Sequence, residues 1–362
     1  MALRTPLYQQ HIALGAKVVE FGGWDMPLQY PEGIIREHDA NRKGCSLFDC
    51  SHMGEFIIEG RLEDTGLDRI VTQPLADQSV GTCRYGFALN EKGGTIDDLI
   101  VYRLAGKKWM VVVNAANINK DAAHFRANLR SGANFRDVSP ALAKLDVQGP
   151  LAREVLKPLV SGIEGLAHYA CGEFVVLGEK VIVSRTGYTG ELGYEVYFPW
   201  EKAGRFWETV LADPRVKPTG LGVRDVLRVE VCYPLYGHEL SEDISPLQAG
   251  LKRFVDGTKD FIGRQAWQAE EHSGPAQKLV CFTAQSRRAP RQGHWLYTGG
   301  DVPVGIVVSG TFSPALGAGI GMGFIKKEFT SNSKEIIFGD AKFRERAELV
   351  ARPFYKLGTL KN

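Results

Sequence analysis

The sequence predicts an α+β protein made of two packed α+β subdomains followed by a small all-β domain. Three observations predict it. A strand, a helix and a pair of strands recur in similar order in the two successive parts of the chain, as expected of sheets covered by helices. Past about Gln277 the texture changes to short apolar runs separated by Gly, Pro and Asn turns, with no long helical period. At 362 residues the chain is also too long for one ordinary core. The division falls between residues 1–276 and 277–362.

Thr5-Pro6 reads as a helix N-cap followed by the first helical position, and the helix running to Leu14 is stopped by Gly15. Lys17 to Phe21 reads as a strand, and Trp24, Met26, Pro27 and Tyr30 then crowd an irregular aromatic loop. A helix from about Glu32 to Lys43, with Gly44 past its end, leads into a strand that finishes on the polar cluster Asp49-Cys50-Ser51-His52-Met53. Glu55 to Glu59 is a strand, Glu63 to Val71 a helix, and Tyr85 to Leu89 a strand that turns through Asn90 to Gly94 into the next. Lys108 to Asn114 follows as a hairpin partner, and Asn117 to Leu129 is helical. In the second half the strands are Ala143 to Val147, Val175 to Leu177 paired with Val181 to Arg185, and Tyr194 to Phe198, with helices from Pro150 to Leu159 and Trp200 to Leu211. The last domain offers strands at Leu279 to Phe282, Val304 to Val308, Gly321 to Ile325 and Glu335 to Phe338.

Composition excludes several classes. With 44% hydrophobic and 24% charged residues the profile is that of a globular protein. A net charge of +2, from 44 basic against 42 acidic residues, offers no global electrostatic argument for nucleic acid. The N-terminus lacks the apolar core of a secretion signal and no stretch reaches the length of a membrane span, so a cytoplasmic protein with no membrane partner is expected. The six cysteines are scattered, without Cys-x-x-Cys or zinc-like spacing, and read as reduced and mostly buried. His52 and His238 have no carboxylate or histidine at ligand spacing, so hydrogen-bonded structural roles and no metal are expected. Arg287-Arg288-Ala289-Pro290-Arg291 is a local basic cluster, read as a solvated turn or as a contact for an anionic partner.

Two stretches carry unusual chemistry. Gly93-Gly94-Thr95-Ile96-Asp97-Asp98-Leu99-Ile100-Val101 puts two carboxylates at the mouth of an apolar strand. Neighbouring strand residues face opposite ways, so one of Asp97 and Asp98 should be functional or buried and the other solvated; turn capping explains such a pair equally well. Ser184 to Glu195 holds three glycines interleaved with Tyr188 and Thr189, a loop whose backbone can approach a ligand while tyrosines offer flat faces. It does not match a phosphate loop, since no Gly-Lys-Ser/Thr follows. Downstream, Arg224 and Arg228 share one face of a helix from Gly220 to Glu230. An inward Glu195 with a planar guanidinium can grip the edge of a nitrogen heterocycle, or Arg224 can close a buried bridge with Glu195.

Gly93 to Tyr102, Arg185 to Glu195, Gly220 to Glu230, Pro234 to Leu240, Ser245-Pro246-Leu247 and Asp260 to Arg264 together closely resemble aminomethyltransferase, the T-protein family of the glycine cleavage system, in order from Thr5-Pro6-Leu7-Tyr8 onward. The resemblance implies two ferredoxin-like α+β subdomains and a C-terminal β-barrel, a three-domain cloverleaf around a central tetrahydrofolate channel. It implies that Asp98 is the catalytic aspartate beside the reacting folate nitrogens and that Glu195 and Arg224 bind the pterin. Met53, Tyr85, Tyr102, Asn114, Tyr188 and Tyr233 fall where the family lines the folate site, although Val231-Cys232-Tyr233 departs from the usual Ala-Gly-Met. Pro353-Phe354-Tyr355-Lys356 resembles a segment that returns near the channel, a resemblance that implies no particular role for its side chains.

The implied reaction moves the methylene of an aminomethyl group on the dihydrolipoyl arm of H-protein to tetrahydrofolate, releasing ammonia and 5,10-methylenetetrahydrofolate. Tetrahydrofolate is then the cosubstrate, lipoylated H-protein the partner, and a monomer docking it transiently the expected state. The rival class is a tetrahydrofolate-dependent demethylase of O-, N- or S-methyl compounds; the intact Ile-Asp-Asp-Leu-Ile-Val setting favours the aminomethyl reaction. A noncatalytic folate-binding protein of the iron-sulfur assembly type would carry Lys-Gly-Cys where this chain reads Lys259-Asp260-Phe261-Ile262-Gly263-Arg264. A flavin-linked methylamine oxidase would need a dinucleotide domain, and no Gly-x-Gly-x-x-Gly stands at a strand-to-helix turn.

Overall fold

The structure is a computed structural model that describes residues 2–298, 300, 302–329 and 334–361. The chain packs into two compact units. The first comprises the chain up to Gly86, Leu99–Asp225 and the tail from Gly358; the second comprises Phe87–Asp98 and Val226–Leu357.

The first unit holds a six-stranded sheet in the order Cys171–Val176, Glu179–Ser184, Gly193–Pro199, Leu142–Gln148, Cys45–Asp49, Val216–Pro218. All neighbours are antiparallel except the last pair. Strand alternation divides the residues of this sheet by face. Leu47, Leu145, Val147, Val183, Val196 and Phe198 pack on Val155 and Leu156 of the helix Ala152–Leu156 and on Phe206 and Trp207 of the helix Ala203–Leu211. The opposite face carries Lys144, Asp146, Ser184, Glu195 and Tyr197, and it is buried as well.

A second sheet covers that polar face. It runs Thr82–Leu89, Thr95–Ala105, Lys108–Val113, Gly54–Glu59, Asn134–Asp137. Its register aligns Glu55 with Val112 and Ile100, and Ile57 with Met110 and Tyr102. Ile57, Tyr102, Met110 and Val112 pack with Tyr197 and Cys171 of the six-stranded sheet. On its other face Phe56 meets Phe125 of the helix Ile118–Asn128 edge-on at 5.9 Å.

Several elements differ from the sequence reading. The aromatic stretch after Gly23 is a strand, Trp24–Gln29, at the centre of a three-stranded sheet. Proline is tolerated there because the register shifts between Lys17 and Val18, opposite Pro27, where a ladder donor would otherwise be missed. The expected helix from Glu63 to Val71 is two single turns, Leu62–Thr65 and Leu67–Ile70, because Gly66 takes φ +73° between them. The expected helix from Pro150 is only Ala152–Leu156.

In the second unit a closed barrel runs Gln277–Ala284, Ala318–Lys326, Gly305–Ser313, Trp295–Tyr297, Glu335–Gly339, Arg344–Val350 and back to the first strand. Trp295–Tyr297 and Arg344–Val350 are strands that the sequence reading did not include. Phe282, Leu296, Val307, Ile336 and Phe338 fill one cluster, while Leu279, Cys281, Ile320 and Met322 face another that contains Val229 and Phe354. The helix Arg264–Ser273, absent from the sequence reading, also lies in this unit.

The glycine pair before the two aspartates has separate reasons for each position. Gly93 sits at φ +83° in a turn closed by Gly93 N–H to the Asn90 carbonyl at 2.9 Å. A Cβ on Gly94 would lie 1.8 Å from the Glu242 carbonyl oxygen, so nothing larger fits. Asn90 Nδ2 donates to that same carbonyl at 2.9 Å, and Thr95 Oγ1 donates to the Ile244 carbonyl at 2.8 Å.

Candidate active site

The polar face of the six-stranded sheet holds a largely buried ion network. Lys144 pairs in register with Tyr197, and Asp146 pairs with Glu195, so four polar side chains share one face of two adjacent strands. Lys144 Nζ donates to Asp146 Oδ1 at 2.6 Å and to Glu195 Oε1 at 2.8 Å. Arg224, from the helix Leu221–Glu230, donates through Nη1 to Asp146 Oδ2 at 2.9 Å. Cys50 Sγ donates to the same oxygen at 3.3 Å. Two cations and two carboxylates therefore neutralise one another, which is the condition for burying charge at all. Arg224 thus bridges to Asp146, and the buried bridge of Glu195 goes to Lys144 instead.

Electrostatics follow this geometry. Burial pushes the Asp146 carboxyl up, but Lys144 and Arg224 together hold it below the usual range. Burial likewise works against the charged form of Lys144, and Asp146 and Glu195 overcome it and raise its pKa. Burial and the Glu195 charge lift the Tyr102 phenol well above its ordinary value, so Tyr102 stays a donor.

Glu195 is ringed by donors. Its Oε2 accepts from Thr186 Oγ1 at 2.7 Å, Tyr102 OH at 3.1 Å and Tyr197 OH at 3.3 Å, while Oε1 takes Lys144. Tyr102 OH and Tyr197 OH also lie 2.9 Å apart, so one of these two phenol protons goes to the other phenol and, of the carboxylate's roughly four acceptor positions, one stays open to a ligand donor. The long Tyr197 contact is the weakest. Above the network the Arg224 guanidinium lies over the Tyr188 ring, 4.9 Å from its centroid, with the Arg224 side chain 13% exposed. These flat groups form the accessible edge of the site.

Of the other expected lining residues, Met53, Tyr85, Asn114 and Tyr188 are half-buried in the first unit, and Tyr102 is fully buried. Met53 packs on the cluster containing Tyr102 and Tyr197, and Asn114 follows the strand Lys108–Val113. In the second unit, Asp97 is 0% exposed and is the buried member of the pair, while Asp98 is half-buried. Tyr233 is half-buried and accepts a 3.3 Å hydrogen bond on its carbonyl from Arg228. Arg228 also donates to Glu239 at 2.9 Å and Ser309 at 2.8 Å in that unit.

Sequence reasoning missed Lys144, Asp146, Thr186 and Tyr197. Their signal was the alternation Lys144, Asp146, Gln148 within the strand Leu142–Gln148, which by pattern alone reads as a solvent face. It also missed Glu55, 1% exposed, whose two carboxyl oxygens have no hydrogen-bond partner among the described residues. Burial drives the Glu55 pKa well above the usual carboxylate range, with Lys144 opposing. His52 is buried rather than hydrogen-bonded through Nδ1, and it meets Phe21 edge-on at 5.8 Å. His238 Nδ1 bonds the Val308 carbonyl at 2.7 Å. All six cysteines are free and buried. No helix among the described residues is long and apolar enough to cross a membrane, and no cluster of three or more His, Cys, Asp or Glu suited to a metal occurs among them.

Residues 7–259 match the family described as the GCVT N-terminal domain, and residues 277–356 match the glycine cleavage T-protein C-terminal barrel domain. The chain belongs to the glycine cleavage T-protein family. It is 42% identical over 360 residues to an aminomethyltransferase of Desulforamulus reducens, covering 98% of both chains. It is 40% identical over 363 residues to an aminomethyltransferase of Geobacillus kaustophilus, covering 98% of this chain and 99% of the relative. The crystal structure of glycine cleavage system aminomethyltransferase T from Bartonella henselae superposes with a TM-score of 0.94 at 31% identity, covering 99% of each chain. Within this T-protein family, the α+β body with its closed barrel is the common architecture of this chain and that structure.

Proposed function

We propose that this chain is a tetrahydrofolate-dependent aminomethyltransferase of glycine cleavage, moving the methylene of an aminomethyl group on H-protein dihydrolipoyl lysine to tetrahydrofolate with release of ammonia. One observation carries the donor assignment: relatives named aminomethyltransferase match the chain over 98% of its length. A demethylase is not favoured beside them. The division into a folate region, residues 1–276, and a barrel, residues 277–362, is supported by the change of family description between 259 and 277. A cytoplasmic monomer that docks lipoylated H-protein transiently completes the reading.

Asp98 is the proposed catalytic residue. Its carboxylate stabilises positive charge developing at the transferred carbon and takes a proton from the attacking folate nitrogen. Holding the two reactants in contact supplies much of the remaining acceleration. Glu195 and Arg224 bind the pterin, with Met53, Tyr85, Tyr102, Asn114, Tyr188 and Tyr233 lining its site. The pleat of the strand Thr95–Ala105 supports this grouping, since alternation directs Asp98 and Tyr102 to one side and Asp97 to the other. The flat Arg224–Tyr188 pair fits an aromatic heterocycle, and the buried Glu195 carboxylate fits its N–H donors.

Anaerobic turnover with tetrahydrofolate and aminomethyl-loaded H-protein tests the proposal. Ammonia should appear in step with 5,10-methylenetetrahydrofolate. Formation of 5-methyltetrahydrofolate from methylated donors, with no ammonia from H-protein, would overturn it.

A further inference from the structure

Cys232 stands at φ +58°, a left-handed position just past the helix Leu221–Glu230 where glycine is the unstrained choice. A side chain kept at such a position calls for a reason. Its Sγ lies 3.7 Å from Sγ of Cys281, which projects from the first barrel strand into the same cluster. Both thiols are buried, at 7% and 3% exposure, in the second unit.

We propose that Cys232 and Cys281 form a peroxide-oxidisable pair, in which Cys232 is the attacking thiol and Cys281 the resolving thiol that closes an intrachain disulfide. The surroundings separate their roles. The Cys281 S–H hydrogen bond most strongly favours the Cys232 thiolate; burial opposes it, and the Phe354 N–H and the Arg352 guanidinium add to the stabilisation while Glu239 detracts. The same contact, with burial, pushes Cys281 up, so Cys232 is the member of the pair that ionises more readily. The other cysteines lack this help: burial pushes Cys45 and Cys171 up to about 12, and raises Cys50 and Cys83 as well.

The chemistry balances with a hydroperoxide as oxidant. The Cys232 thiolate attacks one peroxide oxygen, forming S–O as O–O breaks and hydroxide, or alkoxide, leaves with the electron pair. Cys281 then loses its proton and attacks the Cys232 sulfenic sulfur; S–S forms, S–O breaks, and the departing hydroxide leaves as water. Two thiols are oxidised and one peroxide bond is reduced. Closing 3.7 Å to a bond of about 2.05 Å asks the two sulfurs to approach by less than about 2 Å.

The test treats the purified full chain with hydrogen peroxide under native conditions and reads intact mass, free thiols and peptide maps. Two of the six thiols should be lost, with the mass falling by two hydrogens and a Cys232–Cys281 crosslink that dithiothreitol reverses. Cys281→Ser should stop at a dimedone-reactive sulfenic acid on Cys232. Cys232→Gly, which suits the backbone, should lose no thiols, and Cys83→Ala with Cys171→Ala should still form the crosslink. A crosslink at other positions, retention of all thiols in the native chain, or thiol loss undiminished by Cys232→Gly would overturn the proposal. None of these readouts depends on the transferase reading.

Discussion

Lys144 donates a 2.8 Å hydrogen bond to Glu195 between adjacent strands, and both side chains are shut away from water. This bond makes a carboxylate tolerable in the interior. It also means that Glu195 meets any ligand as one member of a network rather than as a free carboxylate.

Replacing Lys144 by Met should destabilise the fold by about 3–5 kcal/mol, because Arg224 still neutralises Asp146 while Glu195 is left as a buried, uncompensated charge. Thermal and denaturant unfolding measure it. Stability within about 0.5 kcal/mol of the parent would show that Glu195 is not held as an anion by Lys144.

Glu195→Gln should weaken tetrahydrofolate binding about tenfold or more, the worth of a hydrogen bond to a charged group, with a smaller effect on the rate of bound reactants. Equilibrium titration against single-turnover rates separates the two. An unchanged dissociation constant would remove Glu195 from pterin recognition.

Asp98→Asn should lower turnover by about 100-fold or more while folate affinity changes less, since the amide neither takes a proton nor stabilises developing positive charge. Asp97→Asn should leave chemistry intact. Because Asp97 is fully buried, its effect should appear instead as a lower unfolding temperature. Ammonia release at saturating folate distinguishes these variants.

Glu55 gives a pH-dependent prediction. Its pKa is raised on folding by burial, so the native state holds this proton at pH values where the unfolded chain has released it. The stability contributed by the group is therefore full below the unfolded pKa, near 4.3 for glutamate, and declines as pH rises toward the folded value. Glu55→Gln, which cannot ionise, should match the parent in acid and become progressively more stable than it as pH increases. Parallel denaturation curves from pH 5 to 8 check the sign, and a constant difference would mean that Glu55 does not titrate with folding.

Much of the fold was legible. The helix Ala203–Leu211 and the strands flanking the two aspartates follow from periodicity and turn residues. The strand Trp24–Gln29 was not, because its proline argues against a ladder until the opposing register shift is seen. The helix after Glu63 failed at Gly66, whose positive φ no helical period announces.

By itself, the sequence determined the family, the strand bearing Asp98 and the candidacy of Glu195 and Arg224, because glycines, turns and motif order are local properties of the chain. Only the tertiary structure decided that Lys144 and Asp146 face inward. Their alternation with Ala143, Leu145 and Val147 specifies one apolar face and one polar face, and by that pattern the polar face belongs in water. Packing of Ile57, Tyr102 and Met110 from a second sheet takes the water away, and once it is gone each charge requires a partner at bonding distance.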